Sequence, residues 1–99
     1  MLGRNLADEK AVGEAREIAK SFLVYLTRNP ERLGRFLAVT GVGPADIRAR
    51  MEEDAFLGGL LDYLLGDEAV LVEFCEEEDM EPERPAALRS RLPGYQPEM

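Results

Sequence analysis

The residue types best suited to bind a ligand lie in one glycine-rich turn, Gly41-Val42-Gly43-Pro44. Glycines allow a tight hairpin between two helices, and the backbone amides that begin the second helix can point at a phosphate oxygen. Arg48 follows in that second helix and supplies a cation. Helix-hairpin-helix modules hold a DNA phosphate in this way, so Gly41, Gly43 and Arg48 form a candidate phosphate site.

Two observations disfavour phosphate binding at this turn. Asp46 places a carboxylate near the amides that would meet the phosphate. The chain also has 20 acidic against 12 basic residues, a net charge of −8, whereas neutralising phosphates needs a basic surface. We therefore favour a structural role for the turn, a corner in which glycine permits positive φ and Pro44 begins a helix. Binding to a nucleic-acid backbone stays as the alternative.

Charge is distributed unevenly along the chain. Residues 1–50 hold nine basic and six acidic side chains, and residues 51–99 hold three and fourteen. The acidic residues crowd the predicted C-terminal end of the fifth helix, where the helix dipole disfavours carboxylates. A basic surface of a partner protein would offset this cost. We therefore treat both the basic and the acidic residues as candidate protein-binding surfaces. The basic candidates are Arg28, Arg32, Arg35, Arg48 and Arg50, and the acidic ones are Glu76, Glu77 and Glu78.

Little in the sequence points to catalysis or to a cofactor. The absence of histidine removes the commonest general base and the usual transition-metal ligand. The acidic run lacks the alternating oxygen ligands and the glycine of a calcium-binding loop. Cys75 lies on an apolar stripe and is predicted to be a buried thiol. We predict no enzyme, no metal and no cofactor, although four carboxylates remain candidates for acid–base chemistry by number alone: Glu52, Glu53, Asp54 and Asp62.

Six helices are predicted to position these residues. Apolar residues recur at three- and four-residue steps, and Pro or Gly marks most of the ends. Asn29, Asp54 and Asp67 are the predicted N-caps. The predicted helices cover residues 8–28, 30–40, 44–53, 55–65, 68–80 and 83–91.

The fourth helix is apolar nearly all round and should lie at the centre of the core. Its Gly58 and Gly59 predict a close approach by a neighbouring helix, and a second copy of the chain could pack there instead. The fold class that follows is all-α, a compact bundle of five or six short helices with a helix-turn-helix-like corner at residues 30–53. We expect one domain over residues 8–92, between a flexible N-terminus at 1–7 and a flexible tail at 93–99.

Four blocks of the sequence resemble a known family. They are "NPERLGRFLAVTGVGPADIR", "FLGGLLDYLLGDEAVLVEFCEE", "EPE" and "LPG". Together they are similar to the small alphaproteobacterial proteins of domain-of-unknown-function family 3572, over about residues 15–94. The resemblance implies an intracellular bacterial protein. It brings neither an assigned activity nor catalytic residues.

The remaining signals concern location and partners. One cysteine cannot form a disulfide within the chain, which fits a reducing compartment. The first residues lack the apolar core of a secretion signal, and no run approaches the roughly 18 apolar residues of a membrane span. We predict a cytoplasmic, non-enzymatic protein-interaction or regulatory module. Its partner would be another protein rather than nucleic acid or a membrane, and a homo-oligomer stays open.

Overall fold

The computed structural model describes residues 6–94, and these residues form six α-helices and no strand. The predicted all-α bundle, with its corner at residues 30–53, is confirmed. Residues 1–5 and 95–99, which hold most of the two predicted flexible ends, lie outside the described part. The helices are α1 Leu6–Thr27, α2 Pro30–Thr40, α3 Pro44–Arg50, α4 Asp54–Leu65, α5 Glu68–Glu77 and α6 Glu83–Arg89.

Helix α4 lies at the centre of the bundle and packs against α1, α5 and α6. Its Leu57, Leu61 and Leu64 are fully buried, as the nearly continuous apolar surface of this helix predicts. Helix α1 supplies the facing stripe, in which Phe22 and Leu26 are also fully buried. Burying each such side chain contributes about 1.5–3 kcal/mol, so the contact between α1 and α4 carries much of the folding energy.

A cluster of aromatic rings joins four of the helices. Phe22 of α1 meets Phe74 of α5 edge-to-face, with 5.5 Å between ring centroids. Tyr25 meets the same ring at 5.6 Å. Phe36 of α2 meets Tyr63 of α4 at 5.0 Å with perpendicular planes. Edge-to-face pairs are favourable beyond their buried area, so this cluster fixes α2 and α5 against the α1–α4 pair.

One of the three predicted N-caps acts as expected. The carboxylate of Asp67 accepts a hydrogen bond from the amide of Val70 at 3.2 Å. Asn29 occupies the cap position of α2, but its side-chain amide donates back to the carbonyl of Tyr25 at 2.6 Å. Asp54 is the first residue of α4 rather than its cap. Its carboxylate is held by the guanidinium of Arg16, because a bidentate charged pair outcompetes a single backbone amide.

Helix α6 is anchored by a buried arginine. Arg89 is 2% exposed, and its guanidinium donates to both carboxylate oxygens of Asp62, at 2.6 and 3.0 Å. It also donates to the carbonyls of Leu92 and Pro93. The guanidinium packs against Gly58 of α4, where an added Cβ would lie 2.9 Å from the Pro93 carbonyl oxygen.

The predicted close approach is therefore found at Gly58, and it is made by Arg89 and the chain that follows α6. At Gly59 the same prediction is wrong, because an added Cβ would meet nothing within 4 Å. Gly59 is exposed, on the opposite side of the helix from the core.

Helix α5 ends three residues earlier than predicted, because Asp79 adopts a left-handed backbone conformation with φ 56°. The amide of Met80 donates to the carbonyl of Cys75 at 2.9 Å, and the amide of Asp79 to that of Glu76 at 3.3 Å. These two bonds form a Schellman motif, in which glycine is the usual residue at the left-handed position.

Replacing Asp79 with glycine should raise the free energy of unfolding by about 1 kcal/mol, because it removes backbone strain and one carboxylate at a helix C-terminus. Urea denaturation measures the change. Glu78→Gly is the matched control, since Glu78 has a negative φ of −92° and the same change there relieves no strain. A gain in both variants would mean that the lost charge, and not the backbone, is responsible.

Candidate functional site

The glycine turn is closed by bonds within the chain. Gly41 ends α2 in the left-handed conformation with φ 75°, and its amide donates to the carbonyl of Leu37. Gly43 precedes α3 in an extended conformation, and its amide donates to the carboxylate of Asp46 at 3.0 Å. Asp46 therefore occupies one of the amides that a phosphate would need. The two glycines therefore end α2 and begin α3, and so form the corner between these helices.

The described arginines divide into paired and unpaired ones. Arg28, Arg35 and Arg48 are exposed, and no carboxylate in residues 6–94 lies within ion-pair distance of them. We call these three residues the arginine surface. All other described arginines are paired: Arg16 with Asp54, Arg32 with Glu73, Arg50 with Glu53, Arg84 with Glu14, Arg89 with Asp62 and Arg91 with Asp8.

Two of the five arginines that were predicted to bind a partner, Arg32 and Arg50, thus form ion pairs with carboxylates of the chain. Arg50 donates to Glu53 at 3.1 Å, and its guanidinium lies 5.5 Å from the centre of the Phe56 ring. Arg32 donates to Glu73 at 2.9 Å. Both are still near the surface, but their charge is already balanced by a neighbour.

A polar cleft of about 550 Å³ lies where α1 meets α2, with Arg28 and Arg35 in its lining. Arg32 and Glu73 form part of the same lining, and Glu31 contributes a carboxylate. The cleft therefore holds one ion pair and two cations that have no partner in the part of the chain that the structure describes.

Glu73, in the lining of this cleft, binds two other side chains. One oxygen of its carboxylate accepts hydrogen bonds from the hydroxyl of Tyr25 and from Nε of Arg32. The bonds from Tyr25 and Arg32 lower the pKa of Glu73. Burial, followed by the bond to Glu73, raises the pKa of Tyr25. The side chain of Arg32 is consequently fixed, and its orientation depends on a residue 41 positions away.

The pKa values of Asp54 and Glu73 predict how stability depends on pH. Both are lower than the ordinary values of 3.8 and 4.5, Asp54 chiefly through its bond to Arg16 and Glu73 chiefly through Tyr25. The unfolded chain therefore binds protons first as the pH falls, and the free energy of unfolding should decrease below about pH 4.5. With no histidine in the chain, we expect little change between about pH 5.5 and 8.

Urea midpoints measured at a series of pH values test this. The Asp54→Asn variant should have a shallower acid slope than the parent chain. A parent midpoint that stays constant into the acid range would contradict the prediction.

The acidic candidates lie at the end of α5, and one of them lines a second groove. Glu76 and Glu77 are exposed on α5, and Glu78 is half-buried. Glu78 lines a groove of about 700 Å³ between α1 and the α5–α6 turn, together with Asp79 and Glu81. Lys10 and Arg84 line the same groove, but within residues 6–94 no ion pair joins either of them to Glu76, Glu77 or Glu78. Within residues 6–94, no group of three or more side chains is placed to hold a metal ion.

Cys75 is buried, as predicted. Burial and the nearby charge of Glu83 raise the pKa of its thiol. A protonated, buried thiol is a poor nucleophile, so Cys75 acts as a core residue.

Sequence reasoning missed two features of the site. Glu73 was not among the candidate residues, and nothing in the local sequence pairs it with Arg32. The separation of paired from unpaired arginines was also invisible, because every pair apart from Arg50–Glu53 joins residues far apart in the chain.

The comparisons with known proteins identify a family. In the described part of the chain, no helix is long and apolar enough to cross a membrane. No curated protein and no solved structure matches the sequence. A family model described as "Protein of unknown function (DUF3572)" matches residues 12–95, which include α2 to α6 and most of α1. The chain therefore belongs to the DUF3572 family, as its sequence blocks suggest.

Proposed function

We propose that this protein is a non-enzymatic interaction module of the bacterial cytoplasm, which binds an acidic segment of a partner protein through the arginine surface. The supporting observation is that Arg28, Arg35 and Arg48 are exposed and have no carboxylate partner among residues 6–94, while the other described arginines are all paired. An arginine that has no internal partner can offer its planar fork of donors to an incoming carboxylate.

The state of the carboxylates supports a role without catalysis. Each of the four acids that were candidates for acid–base chemistry forms an ion pair with a cation of the chain. For Asp54 the bond to Arg16 lowers the pKa, which makes this carboxylate a weak proton acceptor. The pairs are Lys20–Glu52, Arg50–Glu53, Arg16–Asp54 and Arg89–Asp62.

Electrostatic steering would set the kinetics of this interaction. The whole chain carries a net charge of −8, which repels acidic partners at long range. At physiological salt the Debye length is about 8 Å, so the nearest groups dominate and the arginine surface can attract a carboxylate. Charges at the rim of an interface change association rate more than they change affinity.

The test is affinity capture from a native lysate of the bacterium that encodes the chain, with and without nuclease. The double variant Arg28→Glu/Arg35→Glu should lose a partner protein that the parent chain retains after nuclease treatment. For the purified partner, we expect association to slow by about tenfold at low salt. Lys10→Glu/Lys20→Glu is the control, because it changes the net charge by the same amount at two residues of α1 that are not part of the arginine surface.

Two outcomes would overturn the proposal. Equal capture by the parent and the Arg28→Glu/Arg35→Glu chain would remove the arginine surface from consideration. Capture of nucleic acid, with proteins that disappear on nuclease treatment, would favour phosphate-backbone binding instead.

A further inference from the structure

Beside the arginine surface, helices α1, α2 and α3 enclose an apolar groove of about 340 Å³. Leu23 lies buried at its base, and Leu33, Ile47 and Met51 line it while only partly buried. Val24 forms one edge and is 52% exposed. Helix α3 contributes no fully buried residue to the core, so its apolar side chains are incompletely covered.

The charge at the groove is of one sign. Among residues 6–94, Arg48 is the only charged residue in its lining, and it belongs to the arginine surface. The lining contains no carboxylate, whereas the groove beside Glu78 and Asp79 contains several. Thr27 lies at the end of α1 in the same lining, directly before Arg28, so the groove and the cleft at Arg28 are neighbours.

From these contacts we infer that the groove receives the apolar side chains of an acidic amphipathic helix of the partner protein, with Arg48 pairing to its carboxylates. This inference rests on the proposed function and adds the class of partner. Amphipathic helices bind in this manner, with apolar anchors at three- and four-residue steps in a groove and charged residues along its rim. The volume is at the lower end of the range for binding sites, which suits a few aliphatic anchors.

A second copy of the chain is a poorer occupant. The large exposed hydrophobic residues in residues 6–94, other than Val24, are Leu6, Val39 and Val72. They lie on three different helices, so they do not form a stripe that could enter the groove.

The experiment uses three synthetic peptides of about 15 residues, long enough to form a helix on binding. The first has leucines on one face and glutamates on the other. The second replaces the glutamates with lysines, and the third replaces the leucines with serines. Each peptide is titrated into the full chain, and NMR follows the methyl resonances of the Leu, Val, Ile and Met residues of the protein.

We expect the leucine–glutamate peptide to shift the methyl resonances of Val24, Ile47 and Met51 and to bind about tenfold tighter than either other peptide. Val24→Glu should weaken this binding by about tenfold, since it places a carboxylate at the edge of the groove. Val72→Glu is the matched control, because Val72 is 40% exposed on α5 and outside the groove. Arg48→Glu should favour the leucine–lysine peptide.

The outcomes separate this inference from the proposed function. If the serine–glutamate peptide binds as tightly as the leucine–glutamate one, is weakened by Arg28→Glu/Arg35→Glu and leaves Ile47 unshifted, the groove inference is wrong and the proposed function survives. If the leucine–lysine peptide binds best and shifts Ile18 and Met80, which line the acidic groove, both are wrong. Shifts at Ile47 that depend on chain concentration without peptide would make a second copy the occupant.

Discussion

Replacing Arg89 with methionine should lower the free energy of unfolding by about 3 kcal/mol. Methionine fills a similar volume, so the loss comes from the bonds. The guanidinium is buried and donates to Asp62 and to the carbonyls of Leu92 and Pro93. Without the guanidinium, the carbonyl of Leu92, a buried residue, loses the side-chain donor that Arg89 supplies.

The cost is moderated because the side chain of Asp62 is 57% exposed and can be rehydrated when its partner is removed. Urea denaturation with circular dichroism measures the change. Arg91→Met is the control, since Arg91 pairs with Asp8 in an exposed contact worth about 0–1 kcal/mol. Equal losses in the two variants would show that Arg89 behaves as an ordinary surface arginine.

The second large effect is expected at Gly58. Gly58→Ala places a Cβ 2.9 Å from the backbone oxygen of Pro93 and 3.1 Å from Nη1 of Arg89. A backbone oxygen cannot move aside cheaply, so the chain after α6 must shift and its bonds to Arg89 must lengthen. Overpacking costs about 1–3 kcal/mol, and we expect a net loss of about 2 kcal/mol after the better helix propensity of alanine is included.

The adjacent glycine gives the opposite prediction. Gly59→Ala meets no neighbouring atom within 4 Å, so it should raise the free energy of unfolding by about 1 kcal/mol through helix propensity alone. Thermal and urea denaturation of the two variants, measured side by side, give the difference. If both substitutions stabilise the protein, the contact between α4 and the chain after α6 is looser than described.

The helices were predictable because their signals are local. Pro30 and Gly41 bound α2, and Asp67 caps α5, as the sequence indicates. The end of α5 was not predictable, because an aspartate rather than a glycine takes the left-handed position at residue 79. Gly59 was misjudged for a related reason. A helix that is apolar nearly all round does not reveal from which side its neighbours approach.

The candidate site was only partly predictable, because ion pairing depends on tertiary structure. A sequence shows that Arg32 and Arg35 lie close together in one helix. It does not show that Glu73, 41 residues after Arg32, pairs with Arg32, while Arg35 has no carboxylate partner among the described residues. Arg89 was missed as a core residue, because a charged side chain near a helix end is normally solvated. Its burial depends on Asp62, 27 residues earlier.

The contact between Asp8 and Arg91, 3.2 Å apart, has a topological consequence. It places the beginning of α1 beside the segment that follows α6, and the two helices pack together. The same packing of helices could therefore form from a chain that links them in a different order. A circular permutant of residues 6–94 could join residue 94 to residue 6 through a short linker and open the chain at the exposed residues 52–53.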